Sequence, residues 1–315
     1  MKVVDTHCDA LYKMWQHGSA MRFENADDLQ TNLTRLKEGQ VAVQCFAVFV
    51  DPAIQTSQQF QVALDQIDLF HTEILQKHPM IKQITSWDAL DRLQPGEIGA
   101  LLTLEGVDVI GNDLARLRTL YRLGIRSVGL TWNFANLCAD GCWEQRGAGL
   151  TRLGEEVVKL NNDYRIWTDV SHLSERSFWD VLALAEYPIA SHSNAKAVCD
   201  HARNLSDEQA TALFEKGGFI GIVFYPPFVK KAETVTVDDV LFHIEHFCAL
   251  GGVKHIGFGS DFDGIDTFVH GLEDASKYQR FIETLLKYYK EEDVKGFAYE
   301  NFLNHRPGRT PKEST

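Results

Sequence analysis

Met1-Lys2-Val3-Val4-Asp5-Thr6-His7-Cys8-Asp9 reads as a short apolar strand that runs straight into His-x-Asp. Successive side chains of a strand point to opposite faces, so His7 and Asp9 are expected on one face, able to grip a metal ion from the same side. An imidazole with a carboxylate oxygen suits zinc or a similar first-row divalent ion. Taken alone, such a pair is more often a surface histidine beside a strand-end aspartate. The same arrangement recurs along the chain, and that recurrence decides the reading.

Seven more apolar segments follow at regular intervals: residues 41–50 (VAVQCFAVFV), 98–105 (IGALLTLE), 125–132 (IRSVGLTW), 165–172 (RIWTDVSH), 188–192 (PIASH), 219–225 (FIGIVFY) and 255–261 (HIGFGSD). The segment 41–50 is apolar on both faces, as strands of a buried parallel sheet are. Between them lie segments with helical spacing, at 27–39, 58–78, 113–124, 151–162, 174–185, 206–216 and 237–250, with two more at 274–290 and 294–303. Several end at glycine, and Ser174 and Ser206 stand where helix caps belong. Eight strands alternating with helices predict a single (β/α)8 barrel over residues 1–304, followed by a polar tail, 305–315, expected to be disordered. An open doubly wound sheet is the alternative. It would carry a glycine-rich phosphate turn after the first strand, where His-Cys-Asp stands instead.

Composition narrows the partners. With 31 Lys and Arg against 44 Asp and Glu, the net charge of −13 argues against nucleic acid or an anionic membrane surface. No apolar run reaches the ~20 residues that span a bilayer, and cleaving a leader from this N-terminus would remove His7 and Asp9. The six scattered cysteines read as free thiols of a cytoplasmic protein, with Cys138 and Cys142 lacking the second pair of a zinc ribbon. The expected partner is a small molecule, and a homodimer stays open.

The polar residues that stand out fall at strand ends. They are His7 and Asp9 after the first strand, Glu105 after the third, His172 after the fifth, His192 after the sixth, and Asp261 with Asp263 after the eighth. In a barrel these ends converge on one mouth, where barrel enzymes keep their active sites. Such a set predicts a metal centre of two ions. Glu105 is the candidate bridge, with His7 and Asp9 completing one ion and His172 and His192 the other. Gly264 suggests that Asp263 turns away, and Asp5 is read as support behind a ligand.

Asp5-Thr6-His7-Cys8-Asp9, Leu104-Glu105-Gly106, Asp169-Val170-Ser171-His172, Ser191-His192-Ser193, Arg203-Asn204-Leu205-Ser206-Asp207 and Gly257-Phe258-Gly259-Ser260-Asp261-Phe262-Asp263-Gly264 resemble, in order, the motifs of the membrane (renal) dipeptidase family. The likeness runs from residue 3 to about residue 303. It implies a zinc-dependent dipeptidase of the soluble bacterial type, in which an oxygen nucleophile between two Zn2+ ions attacks the peptide carbonyl. By the same likeness His7, Asp9, Glu105, His172 and His192 are ligands, Asp261 is the proton acceptor and donor, and Arg203 holds the substrate carboxylate. The family also suggests tolerance of a C-terminal D-residue. One departure stands out. Many members carry Leu-Thr-His where this chain has Leu130-Thr131-Trp132-Asn133, so Trp132 and Asn133 become candidate hydrogen-bond donors to substrate. The rivals are another binuclear amidohydrolase acting on a cyclic amide or lactone, whose bridging lysine is missing here, and a metal-binding protein without activity.

Overall fold

The structure is a computed structural model that describes residues 1–18 and 21–308. Nine parallel strands form one sheet: β1 (Val3–Asp5), β2 (Val41–Phe49), β3 (Ile81–Gln83), β4 (Ile98–Glu105), β5 (Ile125–Gly129), β6 (Trp167–Asp169), β7 (Pro188–Ala190), β8 (Phe219–Ile222) and β9 (Ile256–Phe258). Pairing of β2 with β4 and of β1 with both β2 and β9 closes a barrel of eight, β1-β2-β4-β5-β6-β7-β8-β9, with β3 added beside the start of β4. The extra strand reads IKQ, too short and too polar to announce itself in the sequence.

Inward side chains alternate as the pleat requires. Val4, Val43, Cys45, Leu101, Trp167, Ile189 and Phe219 form an interior cluster with Trp87 and Phe302, separate from the larger core between barrel and helices. Trp167 packs against Trp87 and Phe302 with ring centroids 4.3 and 5.2 Å away. Aromatic rings therefore fill one end of the barrel. At the other end the same inward parity continues from Leu101 through Thr103 to Glu105, and from Trp167 to Asp169.

Most strands stop earlier than their apolar runs. β5 ends at Gly129, β6 at Asp169, β7 at Ala190 and β9 at Phe258. His172 and Asp261 both adopt φ of +67° and Asp263 +69°, in the left-handed region that no strand residue occupies. The chain leaves the ladder so that its polar residues can turn over the mouth. β1 likewise ends at Asp5, so the strand-face argument for His7 and Asp9 fails in its form although the two side chains do meet.

The segment after Asp9 is helical, Ala10–His17, which the sequence reading did not assign. The helix expected at 27–39 shrinks to Leu33–Glu38, capped by the Asn32 side chain. Ser174 and Ser206 cap as expected, the latter in a reciprocal box with Gln209. The tail expected from residue 305 begins packed. Arg306 is buried and makes a two-pronged pair with Asp91, at 2.9 and 2.5 Å. Residues 309–315 lie outside the described residues. All six cysteines are free, and no helix among the described residues is long and apolar enough to cross a membrane.

His243 is fully buried, accepting from Ala195 N–H at Nδ1 and donating to the Val229 carbonyl from Nε2. Burial pushes its pKa down to about 4, so the folded chain holds it neutral. The unfolded chain binds that proton below ~6.5. Stability is therefore expected to fall by up to about 3 kcal/mol as pH drops from ~6.5 towards ~4. Urea unfolding at pH 7 and pH 5 should show a smaller pH-dependent drop in His243→Gln than in the wild type. Equal drops would place the acid sensitivity elsewhere.

Candidate metal centre

At the open end of the barrel, the end of β4 and the loops after β1, β6, β7 and β9 bring six imidazole and carboxylate groups within a few ångströms of one another. His7 Nε2 lies 3.3 Å from Asp9 Oδ2, 3.5 Å from Glu105 Oε2 and 3.7 Å from Asp261 Oδ1. Glu105 turns its other oxygen to the second pair, with Oε1 2.9 Å from His172 Nε2 and 3.8 Å from His192 Nε2. The two Nε2 atoms are 2.8 Å apart, and the His7 and His192 rings stack with centroids 3.8 Å apart. Every predicted ligand and Asp261 are in this cluster.

The hydrogen bonds behind the ring nitrogens assign their protons. Asp169 accepts from Ser191 Oγ, whose lone pair faces His192 Nδ1 at 2.7 Å. His192 therefore carries its proton on Nδ1 and presents a bare Nε2 to the cluster. His172 Nδ1 donates to Asn133 Oδ1 at 2.7 Å, leaving its Nε2 bare as well. Two nitrogen lone pairs face each other and a carboxylate, an arrangement that a cation resolves. His7 Nε2 and Asp9 Oδ1 are buried without a hydrogen-bond partner. Asp9 stands at the cap of the Ala10–His17 helix yet its side chain does not cap it and turns to His7 instead. Orphaned donors and acceptors of this chemistry fit divalent metal ions.

Electrostatics agree. Burial raises the Asp261 carboxyl far above the ordinary range, and Asp9 and Glu105 push the same way. Burial, then Glu105, pushes Asp9 up to about 6. Burial alone would raise Glu105 too, but His7 and His172 hold it well below its usual value. Burial and then Arg203 depress His172 to about 3. Three carboxyl groups crowd one face of His7 while the imidazoles of His172 and His192 opposite stay neutral, a set of oxygen and nitrogen donors that suits cations.

The supports were only partly legible. Asp5 holds the β1 end against the β9 loop, accepting from His7 N, Ser260 N and Ser260 Oγ at 3.2, 2.9 and 2.7 Å. Asp263 faces away from the site, accepting from Gln30 N at 2.7 Å and Thr31 N at 3.1 Å and pairing with Lys13 at 3.3 Å. Gly264 is required, because a Cβ there would lie 2.2 Å from Asp9 Oδ2. The Asp169–Ser191 relay was missed. Its signal is a serine directly before a strand-end histidine.

The sequence model of the membrane dipeptidase family, peptidase family M19, matches residues 1–305. The chain belongs to the membrane dipeptidase family. It is 33% identical over 305 residues to an uncharacterized dipeptidase of Schizosaccharomyces pombe, covering 89% of this chain and 73% of that one. It is 31% identical over 282 residues to dipeptidase 3 of Mus musculus, covering 87% of this chain but only 57% of the mouse protein. Among solved structures it resembles a metallopeptidase of Rhodobacter sphaeroides liganded with a phosphinate mimic of the dipeptide L-Ala-D-Ala, at 26% identity and a TM-score of 0.92 over 98% of this chain and 99% of that one. It also resembles a dipeptidase, again a metallopeptidase of the same family, at 28% identity and a TM-score of 0.91 over 98% and 99% of the two chains. The fold class and the class of enzyme, a peptide-bond hydrolase with a metal cofactor, follow from this membership.

Arg203 is 3% exposed, lies with its guanidinium 5.4 Å from the Phe228 ring and donates to the His192 carbonyl at 3.1 Å. Its Nε has no partner, and among the described residues no carboxylate pairs with it. It lines a cavity of about 240 Å³ together with His172 and Cys142. Trp132 stands beside His172, 6.3 Å between centroids, in a wall of rings with Phe49, Phe134 and Trp143. The loop carrying Trp143 is tied over the site by Cys142 N–H to the His172 carbonyl and Trp143 N–H to the Asn133 carbonyl, at 2.7 and 2.9 Å.

Asn133 has a role that the sequence reading did not give it. Its carbonyl oxygen accepts from His172 Nδ1 and, at 3.3 Å, from Cys142 Sγ, and the residue is buried. It orients the His172 ring. Asn133→Leu is accordingly expected to weaken metal binding by about 10- to 100-fold, as losing the partner behind a ligand does. Chelator competition measures this, and kcat should recover at saturating metal. A kcat that stays low in excess metal would return Asn133 to the substrate.

Proposed function

We propose that the protein hydrolyses free dipeptides at a centre of two divalent ions, zinc being the ion its donor set suits best. The observation that carries this reading is the buried guanidinium of Arg203, unpaired by any carboxylate among the described residues and sharing a cavity with His172. A fork of donors without a partner beside a peptidase centre matches a substrate's C-terminal carboxylate.

His7 and Asp9 would hold one ion and His172 and His192 the other, with Glu105 turning one oxygen to each. When bound, such ions polarise the scissile carbonyl and acidify a water towards a pKa of ~7. Asp261 Oδ1 accepts the proton of the attacking water as the C–O bond forms. The same oxygen returns it to the peptide nitrogen as the C–N bond breaks, so the amine leaves neutral. Arg203 fixes the carboxylate end, and the rings of Trp132 and its neighbours wall the side-chain space. Acceptance of a C-terminal D-residue is part of the proposal, supported by the L-Ala-D-Ala mimic in the Rhodobacter relative. A cytoplasmic location is supported by the six unpaired thiols.

The test is a hydrolysis assay with zinc-loaded protein on L-L and L-D dipeptides, dipeptide amides, cyclic amides and lactones. Free dipeptides should be the substrates. Turnover of the cyclic compounds alone would overturn the proposal. Arg203→Met should cut kcat/KM for free dipeptides about 10- to 100-fold, the worth of a hydrogen bond to a charged group. Dipeptide amides should lose little more. Equal losses on both would place Arg203 in the fold, not in recognition.

A further inference from the structure

The end of the barrel opposite the metal centre carries a second cavity, of about 560 Å³, at the start of β5 and β6. Its size falls in the ordinary range for small-molecule sites, ~300–1,000 Å³. Four arginines line it, Arg122, Arg126, Arg165 and Arg306, with Asp88 as the acidic residue among the lining side chains. In a chain of net charge −13 such a concentration of guanidinium groups is out of keeping with the surface at large.

Two of the four are committed. Arg306 is paired with Asp91. Arg126 spends its donors on the carbonyls of Thr85, Tyr121 and Ile125, at 2.7, 3.1 and 2.6 Å, and among the described residues no carboxylate pairs with it. It acts as a fixed positive charge in the wall. Arg122 and Arg165 are exposed and form no ion pair among the described residues. Their forks are free to close on an oxyanion. Arg165 is held there by an unusual backbone. Its φ is +53°, and its carbonyl accepts from Trp87 Nε1 at 2.7 Å. Beside them Tyr164 packs on Tyr121 at 5.0 Å yet leaves 44% of itself exposed, a ring held at the cavity and open to stacking.

We propose that this cavity binds a phosphorylated aromatic compound of the nucleoside monophosphate class, with the phosphate between Arg122 and Arg165 and the ring against Tyr164. Guanidinium pairs match phosphate oxygens in two-pronged fashion, and an aromatic face adds a sequence-independent stacking surface. The site is independent of peptide hydrolysis, since it lies below the aromatic plug of Trp87, Trp167 and Phe302.

The test is calorimetric titration of the full metal-loaded chain with adenosine monophosphate, and separately with adenosine and with inorganic phosphate. Adenosine monophosphate should bind with one site per chain, and each fragment at least about tenfold more weakly. Arg122→Gln and Arg165→Gln should each weaken binding by about tenfold or more while dipeptide hydrolysis stays at the wild-type rate, which also reports an intact fold. Two results would overturn the proposal: no binding at millimolar concentration, or binding undiminished in both variants, which would place the phosphate on the metal centre.

Discussion

Asp261→Asn is expected to lower kcat by at least about 10²-fold while both metal ions stay bound, the lower end of what a positioned general base contributes. Oδ1 of Asp261 lies 3.7 Å from His7 Nε2, close enough to reach a water held between the ligand sets and too far to be a hydrogen-bond partner of the ring. Its backbone is fixed by its own N–H, which donates to the His7 carbonyl at 3.2 Å, and by a φ of +67°. Such a conformation costs on the order of 1 kcal/mol or more and aims the carboxylate into the mouth. Without cations, burial keeps that carboxyl protonated; cations beside it reverse the direction and leave a base. Asn preserves shape and an oxygen but accepts no proton. Kinetics and elemental analysis of the same preparation decide the matter. Full activity would remove Asp261 from proton transfer, and inactivity with lost metal would make it a ligand. Asp263→Asn is the control. Its carboxylate is spent on Gln30, Thr31 and Lys13, so the loss should appear in thermal stability and leave kcat within a few-fold.

Glu105→Gln should disable both halves of the centre at once. Each oxygen of Glu105 faces a different pair, Oε2 towards His7 and Oε1 towards His172 and His192. Gln leaves a single oxygen and turns an N–H donor toward one of the two ions. At ~4 Å and an effective dielectric near ~20, one full charge is worth about 4 kcal/mol, roughly a 10³-fold loss of affinity per ion. Metal content after dialysis should drop from about two ions per chain to one or fewer, and hydrolysis should fall with it. His192→Ala should instead lose one ion and retain the other. Two ions retained in Glu105→Gln would mean that the oxygens do not bridge.

The barrel was legible because its signal is local. Eight apolar runs of strand length separated by helical periods leave few alternatives, and the chain closes as they predict. The cluster of polar side chains at the mouth was legible for the same reason. A polar residue just past an apolar strand must lie at a barrel mouth, whichever way it then turns, so His7, Asp9, Glu105, His172, His192 and Asp261 could be named without coordinates. What sequence spacing could not supply was direction. His172 and Asp261 leave their strands through left-handed backbone, which period-two reasoning about strand faces does not contain.

The roles of residues that act through others belong to the tertiary structure alone. Asn133 reads as a free amide in Trp132-Asn133-Phe134 and becomes the acceptor behind His172 only because two loops, 39 residues apart in the chain, meet. Ser191 and Asp169, 22 apart, orient His192 in the same way. Arg122, Arg126, Arg165 and Arg306 lie far apart in sequence and share a cavity only once β5, β6 and the chain after Phe302 come together. Local propensity and hydrophobic period are carried by neighbours in the chain and so are written in the sequence. Hydrogen-bond partnership and charge clustering depend on contacts between distant segments, and only the closed barrel decides them.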